Sequence, residues 1–404
     1  MSVTRRSLLV STAIGAAAAA MTRPARAEKK YDTGASDTEI KIGNTMPYSG
    51  PASSYGTIGK AEAAYYQMIN EQGGVNGRKI NYISYDDGYS PPKTVEQTRR
   101  LVEQDGVLLM ASPLGTPTNS AIQRYLNQKK VPQLFVSTGA TKWNDPEHFP
   151  WTMGWQPNYQ SEGHVYAAYI LENKPDGKIG VLYQNDDFGK DYLKGLKDGL
   201  GAKASMIVSE GPYETTDPTV DSQIIGMKSA GADVFVNCGI PKFAAQGIRK
   251  AAELGWKPLQ IVSSVGNSVG AALKPAGLDN AKDVVSDFYI KDPTDPQWKD
   301  DAGYKEWVAF MDKYYPDGDK TDAGNVIGPC LAQTLVQVLK QCGDELTRDN
   351  VMKQAANLKD FAVPMLLPGV KINTTPTDFA PLKQVQMAKF DGQRWILFGK
   401  VLTG

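Results

Sequence analysis

The sequence predicts an α/β protein with two lobes, each built around a doubly wound parallel sheet. Its 404 residues are 41% hydrophobic, which is enough to form the cores of two or three domains. Short β-rich runs alternate with longer runs of helical periodicity, an arrangement typical of parallel sheets covered by helices. The alternation stops at residues 150–157, which are rich in Trp, Pro and Gly, and then starts again.

The first series of alternating elements lies between residues 39 and 136. The predicted strands are residues 39–43, 79–85, 107–111 and 133–136, and the predicted helices are 58–70, 94–104 and 116–129. In the last of these helices we expect Thr116 to be the N-cap and Pro117 the first helical residue. The order βαβαβαβ predicts one parallel sheet with helices on its faces.

The second series lies between residues 179 and 262. The predicted strands are residues 179–183, 205–208, 234–236 and 261–262, and the predicted helices are 188–200, 220–230 and 242–254. The same order of elements predicts a second, similar lobe.

The chain after residue 286 is too short to form an obvious third lobe. Its predicted helices are residues 307–315, 325–341 and 348–358, and its predicted strands, 385–390 and 395–402, flank an Asp391-Gly392 hairpin turn. We therefore expect this region to return to both lobes. Lobe 1 is predicted to contain residues 37–155 and 290–365, and lobe 2 residues 156–287 and 366–404.

Residues 1–27 have the features of a cleaved signal peptide. Arg5 and Arg6 precede an apolar run at residues 8–21, which is too short to cross a bilayer of ~30 Å, and Ala25-Arg26-Ala27 is a small-x-small cleavage site. The paired arginines fit either twin-arginine export or an ordinary charged start. Because the first cysteine is Cys238, a lipid anchor on an N-terminal cysteine is excluded, and we expect an exported, soluble protein without a membrane anchor.

Charge and composition exclude several classes of function. Lys and Arg number 44 and Asp and Glu also number 44, a balance that argues against nucleic-acid binding. Without residues 1–27, which carry four arginines and no acid, 40 basic and 44 acidic residues give a net charge of −4. Two histidines and three cysteines leave little material for a metal site, and we expect no metal or cofactor. Cys330 and Cys342 would lie ~18 Å apart along one helix, so we expect no required disulfide.

One segment matches a catalytic motif. Gly266-Asn267-Ser268-Val269-Gly270 has the G-x-S-x-G pattern of serine hydrolases, in which the catalytic histidine follows the serine. The last histidine of this chain is His164, so the required partner of Ser268 is missing. We therefore expect no catalytic residues and no enzyme activity, with a secreted serine hydrolase as the remote alternative.

Ligands of parallel α/β sheets bind beyond the carboxyl ends of the strands. Two of these ends, residues 112–119 and 137–141, are rich in glycine and hydroxyl side chains. Gly115 and Thr116 lie at a predicted helix N-terminus, where backbone N–H groups and the helix dipole favour an anion such as a carboxylate. The same residues would also serve as caps and turns without any ligand.

Several short motifs resemble one protein family. They are Tyr48-Ser49-Gly50-Pro51 with Tyr55-Gly56, the segment from Asn70 through Gly73-Gly74-Val75-Asn76-Gly77, Tyr85-Asp86-Asp87, Val131-Pro132 and Asp187-Phe188-Gly189. Together they resemble the Leu/Ile/Val-binding family, the type I periplasmic substrate-binding proteins of ABC transporters for branched-chain amino acids. The resemblance runs from residue 39 to residue 267 and more loosely to the end.

The resemblance implies two lobes joined by a three-crossover hinge, with the ligand bound between them by hinge closure. The crossovers would lie near residues 154–158, 286–290 and 365–369. The ligand-binding residues that it implies are Tyr55 in the pocket wall, Gly115 and Thr116 at the ligand carboxylate, Gly139, Ala140 and Thr141 completing that contact, and Phe188 facing them from lobe 2. Leu114, Ile240 and Val265 complete the predicted site.

Two features depart from the family pattern. Well-known members have a disulfide near the first pocket loop, where this chain has Tyr89 and Leu114. Those members also pair the ligand ammonium with a glutamate, where this chain has Val265.

The missing glutamate bears on the ligand, because a buried ammonium without a counter-ion would cost several kcal/mol. No acid lies between Glu253 and Asp279. Either another group, such as Asp187 or a carbonyl, replaces the glutamate, or the ligand has no ammonium. The aromatic residues Tyr55, Trp155 and Phe188 would suit an aromatic or amphipathic carboxylate.

The resemblance thus implies a monomeric periplasmic protein that delivers a small carboxylate, either an amino acid or an aromatic or organic acid, to an ABC permease. One alternative keeps the same fold as a ligand sensor that signals to a membrane receptor. The sequence does not separate these two roles.

Overall fold

Two parallel sheets organise the chain. The computed structural model describes residues 29–403, so the predicted signal peptide lies outside the described residues. The strands are β1 (Lys30–Tyr31), β2 (Glu39–Met46), β3 (Lys79–Asp86), β4 (Leu109–Ala111), β5 (Gln133–Val136), β6 (Thr152–Gly154), β7 (Ile179–Gln184), β8 (Ile207–Tyr213), β9 (Val234–Cys238), β10 (Leu259–Val262), β11 (Val285–Phe288), β12 (Glu345–Leu346), β13 (Gln384–Phe390), β14 (Trp395–Leu397) and β15 (Leu402–Thr403).

Helices cover both sheets. They are α1 (Gly56–Glu71), α2 (Pro91–Arg100), α3 (Thr116–Lys129), α4 (Tyr159–Asn173), α5 (Asp187–Leu200), α6 (Asp221–Ser229), α7 (Pro241–Glu253), α8 (Lys274–Ala276), α9 (Ala302–Tyr314), α10 (Gly324–Cys342) and α11 (Arg348–Ala355). None of the helices within the described part of the chain is both long and apolar enough to span a bilayer.

The first sheet has the order β3-β2-β4-β5-β6, and all its strands are parallel. The second has the order β14-β13-β11-β10-β9-β7-β8, in which β7 to β11 are parallel and β13 and β14 are antiparallel. All residues of β5 and β9 are buried because helices cover both faces of each sheet. The predicted α/β class with two lobes is confirmed.

The C-terminal third of the chain contacts both lobes. α10 packs on α1 so closely that a Cβ at Gly328 would lie 2.5 Å from the carbonyl oxygen of Ile58. β13 instead joins the second sheet, where it pairs with β11.

The chain passes between the lobes at segments that contact one another. The Trp155 and Tyr289 rings meet edge to face at 5.9 Å, and the backbone N–H of Leu367 donates to the Tyr289 carbonyl at 2.9 Å. Trp155 is fully buried, and its indole N–H donates to Thr334 on α10 at 3.0 Å. These three segments therefore form one connected region between the lobes.

The close approach of α4 and α5 depends on glycine. A Cβ at Gly195 would lie 2.2 Å from the carbonyl oxygen of Gln160, and one at Gly163 would lie 2.6 Å from the Leu196 nitrogen. The close approach allows Tyr159 of α4 to stack on Tyr192 of α5 at 4.6 Å.

A buried pair of carboxyl groups lies beside this aromatic stack. Tyr192 donates to Glu162 at 2.6 Å, whereas the Tyr166 hydroxyl donates to Asp287 and lies 3.1 Å from a Glu162 oxygen. Burial, and then the neighbouring Asp287, raise the pKa of Glu162 well above its usual range, whereas burial raises the pKa of Asp287 to about 6. The two groups therefore carry fewer negative charges at neutral pH than exposed acids would.

The N-cap expected at α3 is wrong by one residue. Gly115 is the N-cap, Thr116 is the first helical residue, and Pro117 is the second. Gly115 has a φ of 98°, and a Cβ there would lie 2.5 Å from the Tyr89 ring, so glycine is required. The Thr116 hydroxyl bonds to Thr138 instead of capping the helix.

Two other predicted elements are divided in the structure. The helix expected at residues 94–104 is α2 followed by a π-helical turn, Leu101–Asp105, which ends at left-handed Gly106. The strand expected at 395–402 consists of β14 and β15, separated by a segment in which Gly399 has a φ of 66°. Cys238, Cys330 and Cys342 are all buried and free.

Candidate functional site

A cavity lies between the two lobes at the carboxyl ends of the parallel strands. It encloses about 680 Å³ of non-protein space, including its opening to solvent. Residues from both lobes and from the start of α10 line it: Ser54, Tyr55, Ile58, Tyr89, Leu114, Gly115, Thr116, Ser137, Thr138, Gln156, Tyr159, Phe188, Ile240, Pro241, Ser264, Val265, Asn267, Ser268, Ala271, Asp322, Ala323, Gly324 and Ile327.

One wall of the cavity provides hydrogen-bond donors. The N-terminus of α3 opens onto it at Thr116, whose hydroxyl shares a 2.5 Å hydrogen bond with Thr138. The Ser137 hydroxyl is buried and has no partner within the described residues. Backbone N–H groups in the first turn of α3 have no acceptor within the helix. This wall can therefore bind an anion without a basic side chain.

Aromatic side chains form the other walls. Tyr159 and Phe188 meet edge to face, with ring centroids 5.3 Å apart. Tyr55 reaches across from lobe 1, and its hydroxyl donates to the Val265 carbonyl at 2.7 Å. Tyr89 lies against Gly115, and its hydroxyl accepts from Gln184 at 3.4 Å. An apolar or aromatic ligand body would pack well against these rings.

The structure brings most of the predicted ligand-binding residues to this cavity. Those that line it are Tyr55, Leu114, Gly115, Thr116, Phe188, Ile240 and Val265. The remaining three, Gly139, Ala140 and Thr141, are not among its lining residues.

Two of these residues, Gly139 and Thr141, contribute to contacts between segments instead. Gly139 lies against the carbonyl oxygen of Pro157, and a Cβ at Gly139 would be 2.1 Å from that oxygen. The Thr141 N–H donates to Asp191 of α5 at 2.6 Å, and the Thr141 hydroxyl donates to Asn158 at 3.1 Å. Ser137 and Thr138, at the start of the same loop, face the cavity in their place.

The acid considered as a counter-ion, Asp187, does not line the cavity. It is exposed and pairs with Lys142 at 3.1 Å. Asp322, which the sequence reasoning missed, is the one acidic residue among the lining residues in the described part of the chain. The sequence feature that could have indicated Asp322 is its position just before the helix predicted at residues 325–341.

Ser268 has a structural role in this site. Its hydroxyl accepts from the Ala271 and Ala323 N–H groups at 3.2 and 3.1 Å and donates to Asp322 at 3.1 Å. His148 is exposed and contacts Asp145 at 2.9 Å, away from the cavity. The hydroxyl of Ser268 therefore caps a turn and joins two segments.

A cavity between two α/β lobes, with donors on one wall and aromatic rings on the others, is typical of a ligand-binding protein. A model of the family described as periplasmic binding protein matches residues 39–394. The chain belongs to this family, shares the type I fold with its neighbours, and is a substrate-binding protein and not an enzyme.

Proteins similar to this chain include one relative by sequence and one solved structure. The Leu/Ile/Val-binding protein homolog 1 of Brucella abortus is 27% identical over 316 residues, which cover 77% of this chain and 80% of that protein. A branched-chain amino-acid ABC transporter protein from Thermus thermophilus, solved with bound valine, has a TM-score of 0.81 at 16% identity, covering 91% of this chain and 97% of that one.

A structural neighbour with a different ligand has a similar fold. A fatty acid ABC transporter substrate-binding protein from Thermomonospora curvata has a TM-score of 0.76 at 22% identity, covering 93% of this chain and 95% of that one. These structural likenesses show the fold alone.

Proposed function

We propose that this protein captures a small amphipathic carboxylate between its lobes and delivers it to the permease of an ABC importer. The ligand is an amino acid or an aromatic or organic acid. In this proposal the lobes close over the ligand, and the closed form docks on the permease. The protein acts in the periplasm after export.

The observation that carries this proposal is the donor wall beside the aromatic rings. Ser137, with its buried and unpartnered hydroxyl, lies next to the α3 N-terminus in a cavity otherwise lined largely by apolar and aromatic groups. A carboxylate would satisfy that donor and interact favourably with the helix dipole. An apolar ligand body would contact Tyr159 and Phe188.

The relatives agree with this ligand class. The Thermus neighbour is described with valine and the Thermomonospora neighbour with fatty acids, and both ligands combine a carboxylate with an apolar body. A transport role predicts that deletion of the gene abolishes uptake of the ligand that the protein binds.

Replacing Ser137 with alanine should weaken carboxylate binding by roughly tenfold, because a hydrogen bond to a charged acceptor is lost. Thr116→Ala should also weaken it, since it removes a hydroxyl from the same wall. The measurement is titration calorimetry with branched-chain and aromatic amino acids and with the corresponding acids that lack the amino group.

Thr141→Ala is the matched control, because Thr141 follows the same strand but does not line the cavity. Its effect on affinity should be smaller than that of Ser137→Ala. Normal binding by both the Ser137 and Thr116 variants would show that the carboxylate does not bind at this wall.

A further inference from the structure

Asp322 lies where lobe 2 meets the start of α10. Its Oδ1 accepts from the Ser268 hydroxyl at 3.1 Å and from the Gly324 N–H at 2.9 Å. Ser268 belongs to the segment after β10, whereas Gly324 begins α10, which packs on α1. The carboxyl group is thus held by two segments at the edge of the cavity.

No basic side chain within residues 29–403 forms an ion pair with Asp322 at 4.0 Å or less. The neighbouring Lys274 instead donates to Thr321 at 2.7 Å and lies 4.0 Å from Asp319. Loss of hydration raises the pKa of Asp322, and the Asp319 carboxylate acts in the same direction. A cation in the cavity would relieve both effects.

The cavity therefore contains two polar features of opposite character. One is the donor wall at Thr116 and Ser137, and the other is the Asp322 carboxylate. The lining also includes apolar groups such as Ile58 and Ile327 and the aromatic ring of Tyr55. A ligand with a single negative charge would use the first feature and leave the Asp322 carboxylate without a counter-ion.

We propose that Asp322 binds a protonated nitrogen of the ligand and thereby selects carboxylates that also carry an amino group. This inference rests on the proposed function, because it concerns the same cavity. In this arrangement the position of Val265 needs no acid, since the counter-ion comes from the start of α10. Ser268 and the Gly324 N–H orient the carboxylate as positioning groups.

The test compares ligands that differ only in the amino group. Phenylalanine is paired with 3-phenylpropanoate and leucine with 4-methylpentanoate, and each affinity is measured by calorimetry. In the native protein the amino acid of at least one pair should bind at least roughly tenfold more tightly than its partner acid. In Asp322→Asn that ratio should fall to about one, because the amide keeps an acceptor for Ser268 but has no charge.

Asp319→Asn is the matched control, because it removes the same charge from the same loop at a residue that does not line the cavity. It should leave the ratio unchanged. An Asp322→Asn protein that weakens both members of a pair equally would assign Asp322 a structural role only and overturn the inference.

Two results with the native protein separate this inference from the proposed function. If 3-phenylpropanoate or 4-methylpentanoate binds as tightly as its amino acid, the selection by Asp322 is wrong and carboxylate capture stands. If no carboxylate of the panel binds, both proposals are wrong.

Discussion

Gly195→Ala should destabilise the protein by about 3 kcal/mol. The new Cβ would lie 2.2 Å from the Gln160 carbonyl oxygen, so α4 and α5 must move apart. That movement would also loosen the stacking of Tyr159 on Tyr192. The effect opposes the gain of roughly 0.5–1 kcal/mol that alanine normally brings to a helix interior. Urea denaturation of the native and variant proteins measures the difference in the free energy of unfolding.

Gly226→Ala provides the control for this prediction. Gly226 is an exposed residue of α6, and a Cβ there would meet no atom within 4 Å. The same substitution should therefore stabilise the protein by roughly 0.5–1 kcal/mol. If Gly195→Ala stabilised the protein to the same extent, the close contact of α4 and α5 would not constrain the fold.

Asp287→Asn should raise the free energy of unfolding at pH 8 by about 3 kcal/mol and change it little at pH 4. Burial raises the pKa of Asp287 from 3.8 to about 6. Between these two pH values the folded protein therefore holds a proton that the unfolded chain has released. The stability linked to this group is present below pH 4 and is lost as the pH rises through 6. An asparagine cannot ionise, so the variant should lack that loss.

The groups facing Asp287 favour this substitution. Tyr166 donates to it, Glu162 lies beside it, and the buried Cys238 thiol, whose pKa is raised, carries no charge at neutral pH. The asparagine amide can donate to Glu162 and still accept from Tyr166.

Denaturation curves at several pH values provide the measurement. The native protein should also lose stability with rising pH through other buried acids, such as Glu62, whose pKa burial raises to about 8. For that reason the difference between native and variant proteins is the informative quantity. Asp300→Asn, which removes an exposed carboxylate, should show no pH-dependent difference. If Asp287→Asn also showed no pH-dependent difference in stability, the raised pKa of the buried Asp287 would be wrong.

Elements with a clear period or complete burial could be predicted from the sequence. The predicted strand at 133–136 and helix at 116–129 have the bounds of β5 and α3. α4 could not be predicted, because Glu162, Gly163 and Tyr166 interrupt its apolar face with groups whose partners lie on α5 and β11. β6 (Thr-Met-Gly) and β11 (Val-Ser-Asp-Phe) could not be predicted, because neither contains an apolar run like the Leu-Phe-Val of β5.

Some residues of the candidate site could also be predicted from the sequence, and others could not. The residues at strand ends within the two alternating series, such as Gly115, Thr116 and Phe188, could be placed by topology and by resemblance. Asp322 could not, because the packing of α10 on α1 and the turn at Ser268 bring it to the cavity from a distant part of the chain. Contacts between parts of the chain that are so distant in sequence leave no local sequence pattern.

The order of strands in the second sheet has a consequence for protein synthesis. β11 has β10 on one side and β13 on the other, and β13 is made roughly 100 residues later. A ribosome adds roughly 5–20 residues per second. During synthesis the side of β11 that later pairs with β13 therefore stays unpaired for several seconds or longer. Unpaired edges of this kind recruit other strands. The nascent chain should therefore need a chaperone, or delayed folding, until its C-terminus has been released.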